Sequence, residues 1–256
     1  GEAYLSKDEE WSEWTVKGKI RDASAIFVHG TPPRKTIMES LDTLRQCYAW
    51  AHEHRMFEPE NDALWAMYLC HSRLDEPSPA SDALIMLKHN LETLRHGIAD
   101  PMQRGGVFGA YRYLFNAMVE KLSKADRTTD LLTAIESSKG RVIADRLTAQ
   151  SGSVIKDAAI YSCVDRLPAL VQQYQFHYLT FFVDEEWTYP VLVSKDGRVH
   201  APDPISINSE VMRSAAANVN PGNWKDHGAQ VNEQLAPLVA FLDDFLEQMQ
   251  QIKKMG

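Results

Sequence analysis

The sequence contains few cysteines, and their arrangement does not suit cross-linking or metal binding. Cys47, Cys70 and Cys163 form an odd set with no C-x-x-C pair, so we expect neither a disulfide framework nor a zinc site. Long apolar runs are also missing, because the longest one, Tyr178 to Val183, is far shorter than the roughly 18 residues that a membrane span needs. The first ten residues have neither the basic nor the apolar segment of a secretory signal. These absences predict a cytoplasmic chain without a membrane partner.

Basic charge is scarce as well. The chain has 27 Lys and Arg against 35 Asp and Glu, a net charge of −8, and its longest basic run is Lys253-Lys254. Neutralising phosphates requires clustered basic side chains, so direct nucleic-acid binding is not expected. The sequence has no P-loop, no G-x-S-x-G elbow and no G-x-G-x-x-G fingerprint, and the glycines between Gly105 and Gly109 have the wrong spacing. We therefore expect no cofactor.

The side chains that could carry chemistry are poorly spaced for it. Cys70 and His71 are neighbours on a predicted helix, about 100° apart, and make a poor nucleophile and base pair. His52 and His54 leave another helix on different faces, which disfavours a metal site. His29 lies where a short strand runs into a turn, a position typical of a structural or solvated histidine. We assign no catalytic, cofactor-binding or metal-binding residue.

The first 150 residues have a helical pattern. We interpret residues 1–30 as a packed but irregular arm. Apolar spacing then predicts five amphipathic helices, which form a stack of helical hairpins or a bundle: about 33–51, 60–74 with Asn61 or Asp62 as cap, 78–98, 106–124 and 127–149. Equivalent helices are separated by 34 to 45 residues without a clean tetratricopeptide pattern, which indicates degenerate repeats. The large aromatic side chains are better explained as packing between helices than as a peptide-binding groove: Trp50, Trp65, Tyr68, Tyr111, Tyr113 and Phe115.

The remaining residues, 151–256, have a mixed pattern and form a second predicted domain. A short helix from Cys163 to Gln173 precedes a three-stranded antiparallel meander over 176–200. Pro190 cannot donate to a β ladder, so it predicts an edge position or a bulge in the second strand. Helices are expected at 207–218 and 228–254. The fold class is therefore mostly α with a smaller α/β part.

Two groups of charged residues could be functional or simply solvated. Asp184, Glu185 and Glu186 crowd a hairpin turn, where a solvated acidic tip is a better interpretation than the active site of a small-molecule enzyme. The polar face of the fifth helix, which includes Glu136 and Lys139 with Arg141, Asp145 and Arg146, is interpreted as solvated surface rather than a dedicated relay.

Three stretches together resemble the front half of the tetratricopeptide-CHAT family, whose CHAT domain is a caspase-like and separase-like cysteine protease. Residues 134–147 resemble the last repeat helix of that family. Residues 178–200, a strand, an acidic turn, an aromatic-led strand and a Lys-Asp-Gly turn, resemble the opening hairpin of the CHAT domain. Residues 235–242 resemble the helix that precedes the protease core. The resemblance covers about residues 127–245 and implies TPR-like repeats over 1–150 and the pseudo-caspase side of a CHAT-like domain over 151–256.

The family's catalytic elements follow the helix with which this sequence ends, so no catalytic residue transfers to any position here. The resemblance implies the partner-sensing and scaffold portion of a CHAT-type cysteine protease, without the His/Cys dyad. Protein partners would bind the helical repeats, and the remainder of the protease core would act in cis or in trans. Trp187 and Tyr189 would be packing residues first and substrate contacts second. The alternative is a stand-alone helical-repeat adaptor for protein–protein interaction, without enzymatic activity.

Overall fold

The structure, a computed structural model, describes residues 11–28, 30–97, 112–151 and 157–211, together with residue 236. The described residues are mostly helical and include a three-stranded antiparallel sheet, which confirms a mostly α chain with a small α/β part. The chain divides into two compact units: Gly1–Ala125 with Val142–Ile155, and Asp126–Arg141 with Lys156–Gly256. The predicted division into residues 1–150 and 151–256 stays a prediction.

Between residues 13 and 97 the helices follow one another through short connections, and residues 98–111, before the next described helix, are outside the described set. The described helices are α1 (Glu13–Ser24), a 3₁₀ turn (Ala25–Phe27), α2 (Arg34–Glu53), α3 (Phe57–Arg73), α4 (Pro77–Gly97), α5 (Arg112–Lys124), α6 (Thr128–Ser151) and α7 (Asp157–Tyr174). The second predicted helix, α3, begins three residues earlier than expected, and α7 begins six residues earlier. Neither Asn61 nor Asp62 caps α3, and Asn61 instead accepts a hydrogen bond from Asn90 of α4 at 3.1 Å.

Helix α1 contradicts the predicted irregular arm. Ser12 and Thr15 form a capping box, in which the Ser12 hydroxyl accepts from the Thr15 backbone N–H and Thr15 Oγ1 accepts from the Ser12 N–H. This satisfies two backbone donors that the first helical turn otherwise leaves unpaired. Val16 and Ile20 then lie on the buried side of the helix. The signal was missed because threonine occupies the position where Glu or Gln usually completes the box.

Two nearly identical turns join α2 to α3 and α3 to α4. Each places one residue in the left-handed region, Arg55 at φ 55° and Asp75 at φ 57°. The next residue closes the turn, because Met56 N–H donates to the Ala51 carbonyl at 2.8 Å and Glu76 N–H donates to the corresponding carbonyl of α3 at 3.0 Å. This Schellman pattern satisfies the last helix carbonyls and leaves room for only three connecting residues. Successive helices must therefore pack side by side and antiparallel.

The core of the first unit follows from this packing. Helix α1 packs against α2 and α3, α3 packs against α4, and α4 packs against α5. The contact surfaces are lined by fully buried side chains, including Val16, Leu44, Cys47, Leu64, Cys70, Leu84, Leu91, Leu114 and Met118. Their spacing of three and four residues along each helix is the apolar periodicity seen in the sequence.

The second unit contains the sheet, with strand order β1 (Tyr178–Val183), β2 (Thr188–Val193) and β3 (Val199–His200). The β1–β2 register runs without interruption from the Tyr178–Val193 pair to the Val183–Thr188 pair. Gly197, at φ 82°, forms the turn into β3. A β carbon added at Gly197 would lie 3.3 Å from the backbone carbonyl oxygen of Pro168 in α7. The predicted meander is confirmed.

Pro190 has a local explanation within this sheet. Strand β2 is the middle strand, and its pairing with β1 has no bulge. On the other side, β3 pairs only with Leu192 and Val193, while Ile205 forms a separate bridge to Thr188. In an antiparallel ladder every second residue points its backbone groups to the same side. Pro190 therefore points to the same side as Thr188 and Leu192, between the bridge to Ile205 and the pairing with β3. At that point β2 is locally an edge, as the missing N–H requires.

The predicted helices near the C-terminus lie mostly outside the described residues. Residues 209–211 are helical, within the predicted 207–218. Residues 212–218 and 228–254, apart from residue 236, are not among those described.

Candidate functional site

A cleft of about 420 Å³ opens over α3, between α2 and α4. It is lined by Arg45 and Tyr48 of α2, by Leu64, Met67 and His71 of α3, by Glu76 of the connecting turn, and by Pro79, Asp82, Ala83 and Met86 of α4. We call this set of residues the α2–α4 groove. Its volume lies in the range of binding clefts for small molecules or short peptide segments. All of its residues belong to the first unit.

The groove combines an apolar floor with a polar rim. Leu64 and Ala83 are almost completely buried, whereas Met86 is 41% exposed. The Arg45 side chain is about half exposed, and its Nη1 atom lies 3.2 Å from Asp42 Oδ1. An apolar surface edged by a few oriented charged groups is the usual composition of a recognition cleft.

His71 is held in a fixed orientation within the groove. The residue is 5% exposed, and its Nδ1 atom lies 2.8 Å from Glu76 Oε2. When the Glu76 carboxylate accepts this hydrogen bond, Nδ1 of His71 is the donor. Glu76 is itself oriented by Arg34, whose Nη2 lies 3.6 Å from Glu76 Oε1. This support reduces the freedom that His71 would lose on binding.

His52 and His54 of α2 have structural partners. His52 Nδ1 lies 3.0 Å from Glu60 Oε1, and the ring stacks on Tyr48. His54 Nδ1 bonds to the Trp50 carbonyl at 2.8 Å, and its ring stacks on that indole at 4.1 Å. Among the described residues no group of three or more His, Cys, Asp or Glu side chains could hold a metal ion. His29 lies outside those residues.

The two described thiols are buried away from the groove. Cys47 and Cys70 have no exposed surface and belong to the core between α1, α2 and α3. Burial raises the pKa of Cys47, and it raises the pKa of Cys70 to about 11. The thiolate, which is the nucleophile, is therefore disfavoured at neutral pH. His71 pairs with Glu76 instead of Cys70. The side chain of Cys163 is outside the described set.

In the second unit, Glu136 joins α6 to β1. Its Oε2 accepts a hydrogen bond from the Tyr178 hydroxyl at 2.8 Å, and its Oε1 accepts from Thr180. Lys139 Nζ lies 3.2 Å from the same carboxylate and also donates to Thr180. The Glu136 side chain is only 16% exposed, so the interpretation of this helix face as solvated is wrong for Glu136. No local pattern predicts these contacts of Glu136, because its partners lie more than forty positions away in the chain.

The hairpin tips are organised by short polar side chains. Asp184 Oδ1 accepts from the backbone N–H groups of Glu186 at 2.7 Å and Trp187 at 2.6 Å. Asp184 therefore builds the turn, while Glu185 and Glu186 are exposed. Trp187 is 40% exposed and Tyr189 only 4%, so of the two residues predicted to pack, Tyr189 is the buried one.

Ser194, Asp196 and His200 lie together at the next turn but lack the geometry of a catalytic triad. The Ser194 hydroxyl donates to Asp196, and this hydrogen bond lowers the pKa of the Asp196 carboxyl. His200 Nε2 lies 3.3 Å from the Ser194 hydroxyl oxygen. In a triad the carboxylate orients the histidine and the histidine accepts the serine proton. Here the proton is directed to Asp196, and Ser194 is 2% exposed. The cluster closes the turn.

The large aromatic residues are divided between packing and surface. Trp65 lies 4.9 Å from Tyr68 and 5.0 Å, edge-on, from Tyr113, measured between ring centroids. Phe115 is buried and Tyr113 about half exposed, and Tyr111 is outside the described residues. None of the described aromatic residues in the predicted set lines the α2–α4 groove, whereas Met67, the neighbour of Tyr68 on α3, does line it. The groove residues themselves were missed, because they come from three helices without a common motif.

No helix in the described ranges is both long and apolar enough to cross a membrane. The chain matches no protein-family model, no curated protein and no solved structure.

We expect the two buried thiols to be unreactive in the folded protein. In a Cys163→Ala variant at pH 8, a disulfide reagent such as DTNB should label neither Cys47 nor Cys70 until denaturant is added, because both thiols are buried and protonated. Absorbance of the released thiolate measures the labelling. Rapid labelling of a thiol in the native variant would contradict this placement.

Tyr178 should make stability fall at alkaline pH. Burial and Glu136 raise its pKa to about 12, whereas an unfolded tyrosine titrates near about 10. Its contribution is complete below pH about 10 and is lost as pH rises towards the folded pKa, because only the unfolded chain then releases the proton. Urea unfolding at pH 8 and pH 11 should show a larger loss for the wild type than for Tyr178→Phe.

Tyr174, which is 67% exposed, gives the matched control for this experiment. A Tyr174→Phe variant should lose as much stability as the wild type between the two pH values. Equal losses for the wild type and Tyr178→Phe would show that the phenol is not held by Glu136 as described.

Proposed function

We propose that the chain is the partner-sensing and scaffold portion of a CHAT-type cysteine protease, and that the α2–α4 groove receives an extended segment of a protein partner. The observation that carries the sensing role is the groove itself, an apolar cleft with a fixed histidine and a charged rim. Such a cleft can bind apolar side chains and orient a backbone at the same time.

The architecture around the groove supports a helical-repeat interpretation. Helices α2, α3 and α4 are joined by two turns of the same type, with Arg55 and Asp75 in equivalent positions. In repeat proteins, stacked hairpins present an extended concave surface to partners. The TPR-like character of this region is part of the proposal.

The protease part of the proposal rests on the resemblance of residues 178–200 to the opening of a CHAT domain. The regular β1–β2 hairpin, the acidic turn at Asp184 and the glycine turn at Gly197 are consistent with it. Cys47 and Cys70 are buried with raised pKa values. In this proposal the nucleophilic cysteine and its histidine come from the remainder of the protease core, in cis or in trans.

A stand-alone adaptor is the second candidate. It is favoured by the placement of every groove residue, from Arg45 to Met86, within the first unit. Binding would then need no contribution from the sheet, and no peptide bond would be cleaved.

A pair of methionine substitutions tests the sensing role. Peptides selected from a random library on the wild-type chain should bind a Met86→Glu variant about tenfold more weakly or worse, because the substitution puts a charge on an apolar surface of the groove. Met38 of α2 is also about half exposed but does not line the groove, so Met38→Glu should bind like the wild type. Fluorescence anisotropy measures both affinities. Selected peptides that bind all three proteins equally would contradict the proposal.

A thiol-directed peptide electrophile distinguishes the protease from the adaptor. Applied to the protein purified from its natural source with its associated polypeptides, the reagent should label a cysteine outside residues 1–256, in the same or a bound polypeptide. Mass spectrometry locates the adduct, and the chain of 256 residues alone, which should stay unlabelled at Cys47 and Cys70, is the control. Absence of any labelled cysteine in the native complex would leave the adaptor as the function.

A further inference from the structure

A second cleft, of about 230 Å³, lies between α1 and α3. We call it the α1–α3 cleft, and its walls include Lys17, Ile20 and Arg21 of α1 with Asp62, Trp65 and Leu69 of α3. It shares no lining residue with the α2–α4 groove, so the two sites recognise ligands with different side chains. Its volume is below the roughly 300 to 1,000 Å³ of sites that enclose a whole small molecule. The cleft therefore suits a single inserted side chain.

The apolar part of the cleft is preformed. Ile20 is 5% exposed, and Leu69 lies opposite it on α3 as part of the lining. The Trp65 ring contacts the rings of Tyr68 and Tyr113, at 4.9 and 5.0 Å between centroids. These contacts hold the indole before any ligand binds, which reduces the conformational entropy lost on binding. The face of an indole attracts cations.

The positive charges of the cleft are already paired. Lys17 Nζ lies 2.9 Å from Glu13 Oε1 and 2.7 Å from Glu58 Oε2, so one ammonium group faces two carboxylates. Arg21 Nε lies 3.2 Å from Asp22 Oδ1 of the same helix, in a pair that is exposed to solvent. Carboxylate charge is therefore in excess around the cleft.

Asp62 lines the cleft without a hydrogen bond or an ion pair to any of the described residues. Burial and the like charge of Glu58 raise the pKa of its carboxyl, against the opposing effect of Lys17. The ionised form is therefore held at a cost in stability. Trp65 follows Asp62 by three residues on α3, so the carboxylate and the indole are neighbours on the helix surface.

We propose that the α1–α3 cleft binds an arginine side chain of a protein partner. The Asp62 carboxylate can accept two parallel hydrogen bonds from the guanidinium group, and the flat cation can lie against the Trp65 indole. The excess of carboxylates gives the cleft the complementary charge, and the net charge of −8 of the chain acts in the same direction at longer range. Lysine fits less well, because its ammonium group is compact and strongly hydrated.

Two peptides of equal size test this inference, acetyl-Gly-Arg-Gly-amide and its neutral counterpart with citrulline in place of arginine. The indole N–H resonance of Trp65, assigned with a Trp65→Phe variant, should shift saturably with the arginine peptide, with a dissociation constant in the millimolar range. The citrulline peptide should bind about tenfold more weakly, because it has no charge to pair with the carboxylate.

An Asp62→Asn variant should bind the arginine peptide about tenfold more weakly than the wild type. Its melting temperature by circular dichroism should be unchanged or slightly higher, because an ionised carboxyl with a raised pKa disfavours the folded state. Asp203→Asn is the matched control. It removes the same charge from an exposed residue of the second unit that does not line the cleft, and it should bind like the wild type.

A Trp65 resonance that does not shift with the arginine peptide up to its solubility limit would overturn the inference. Equal affinity for the two peptides, or equal affinity of the wild type and Asp62→Asn, would do the same. An equal loss of affinity in Asp203→Asn would replace the site by an effect of net charge. Tighter binding of free arginine than of the blocked peptide would replace the protein partner by the amino acid itself.

Discussion

The position of α2, α3 and α4 depends on two backbone turns that allow almost no variation. Arg55 and Asp75 adopt the left-handed conformation, and the residue after each donates its N–H to the last turn of the preceding helix. Connections of three residues favour side-by-side, antiparallel packing, and α3 contacts both α2 and α4. The groove follows from this constraint, because α2 and α4 must both lie against α3. His71 and Glu76 pair across the second of these turns, so the turn also fixes the orientation of the histidine.

The second unit depends on a different constraint, the uninterrupted register of β1 with β2. Asp184 closes one end of this hairpin, and the pairing leaves one side of β1 open. Glu136 reaches the β1 face on which Tyr178 and Thr180 lie, so that face is anchored to α6. The strand is thus held by its inner edge and one face, and among the described residues no strand pairs with its outer edge.

Much of this fold could be predicted from the sequence, because apolar spacing and turn residues are local signals. Helices α2 to α5 and the meander, including the unusual position of Pro190, were foreseen in this way. Helix α1 was missed because its capping box uses threonine. The groove and the contacts of the half-buried Glu136 could not be foreseen, because each depends on side chains brought together from distant positions. Packing decides which polar residue is buried, and a single sequence does not contain that information.

The most direct test of the account is a methyl NMR titration, because methionines lie both inside and outside the groove. Met67 and Met86 line it, whereas Met38 is exposed elsewhere on α2. The chain would be labelled at its methionine methyl groups and titrated with a peptide selected on the wild type. We predict that the Met67 and Met86 resonances shift together with a single dissociation constant, and that the Met38 resonance stays in place. Saturable shifts at Met38 without shifts at Met67 and Met86 would contradict the groove as the binding site.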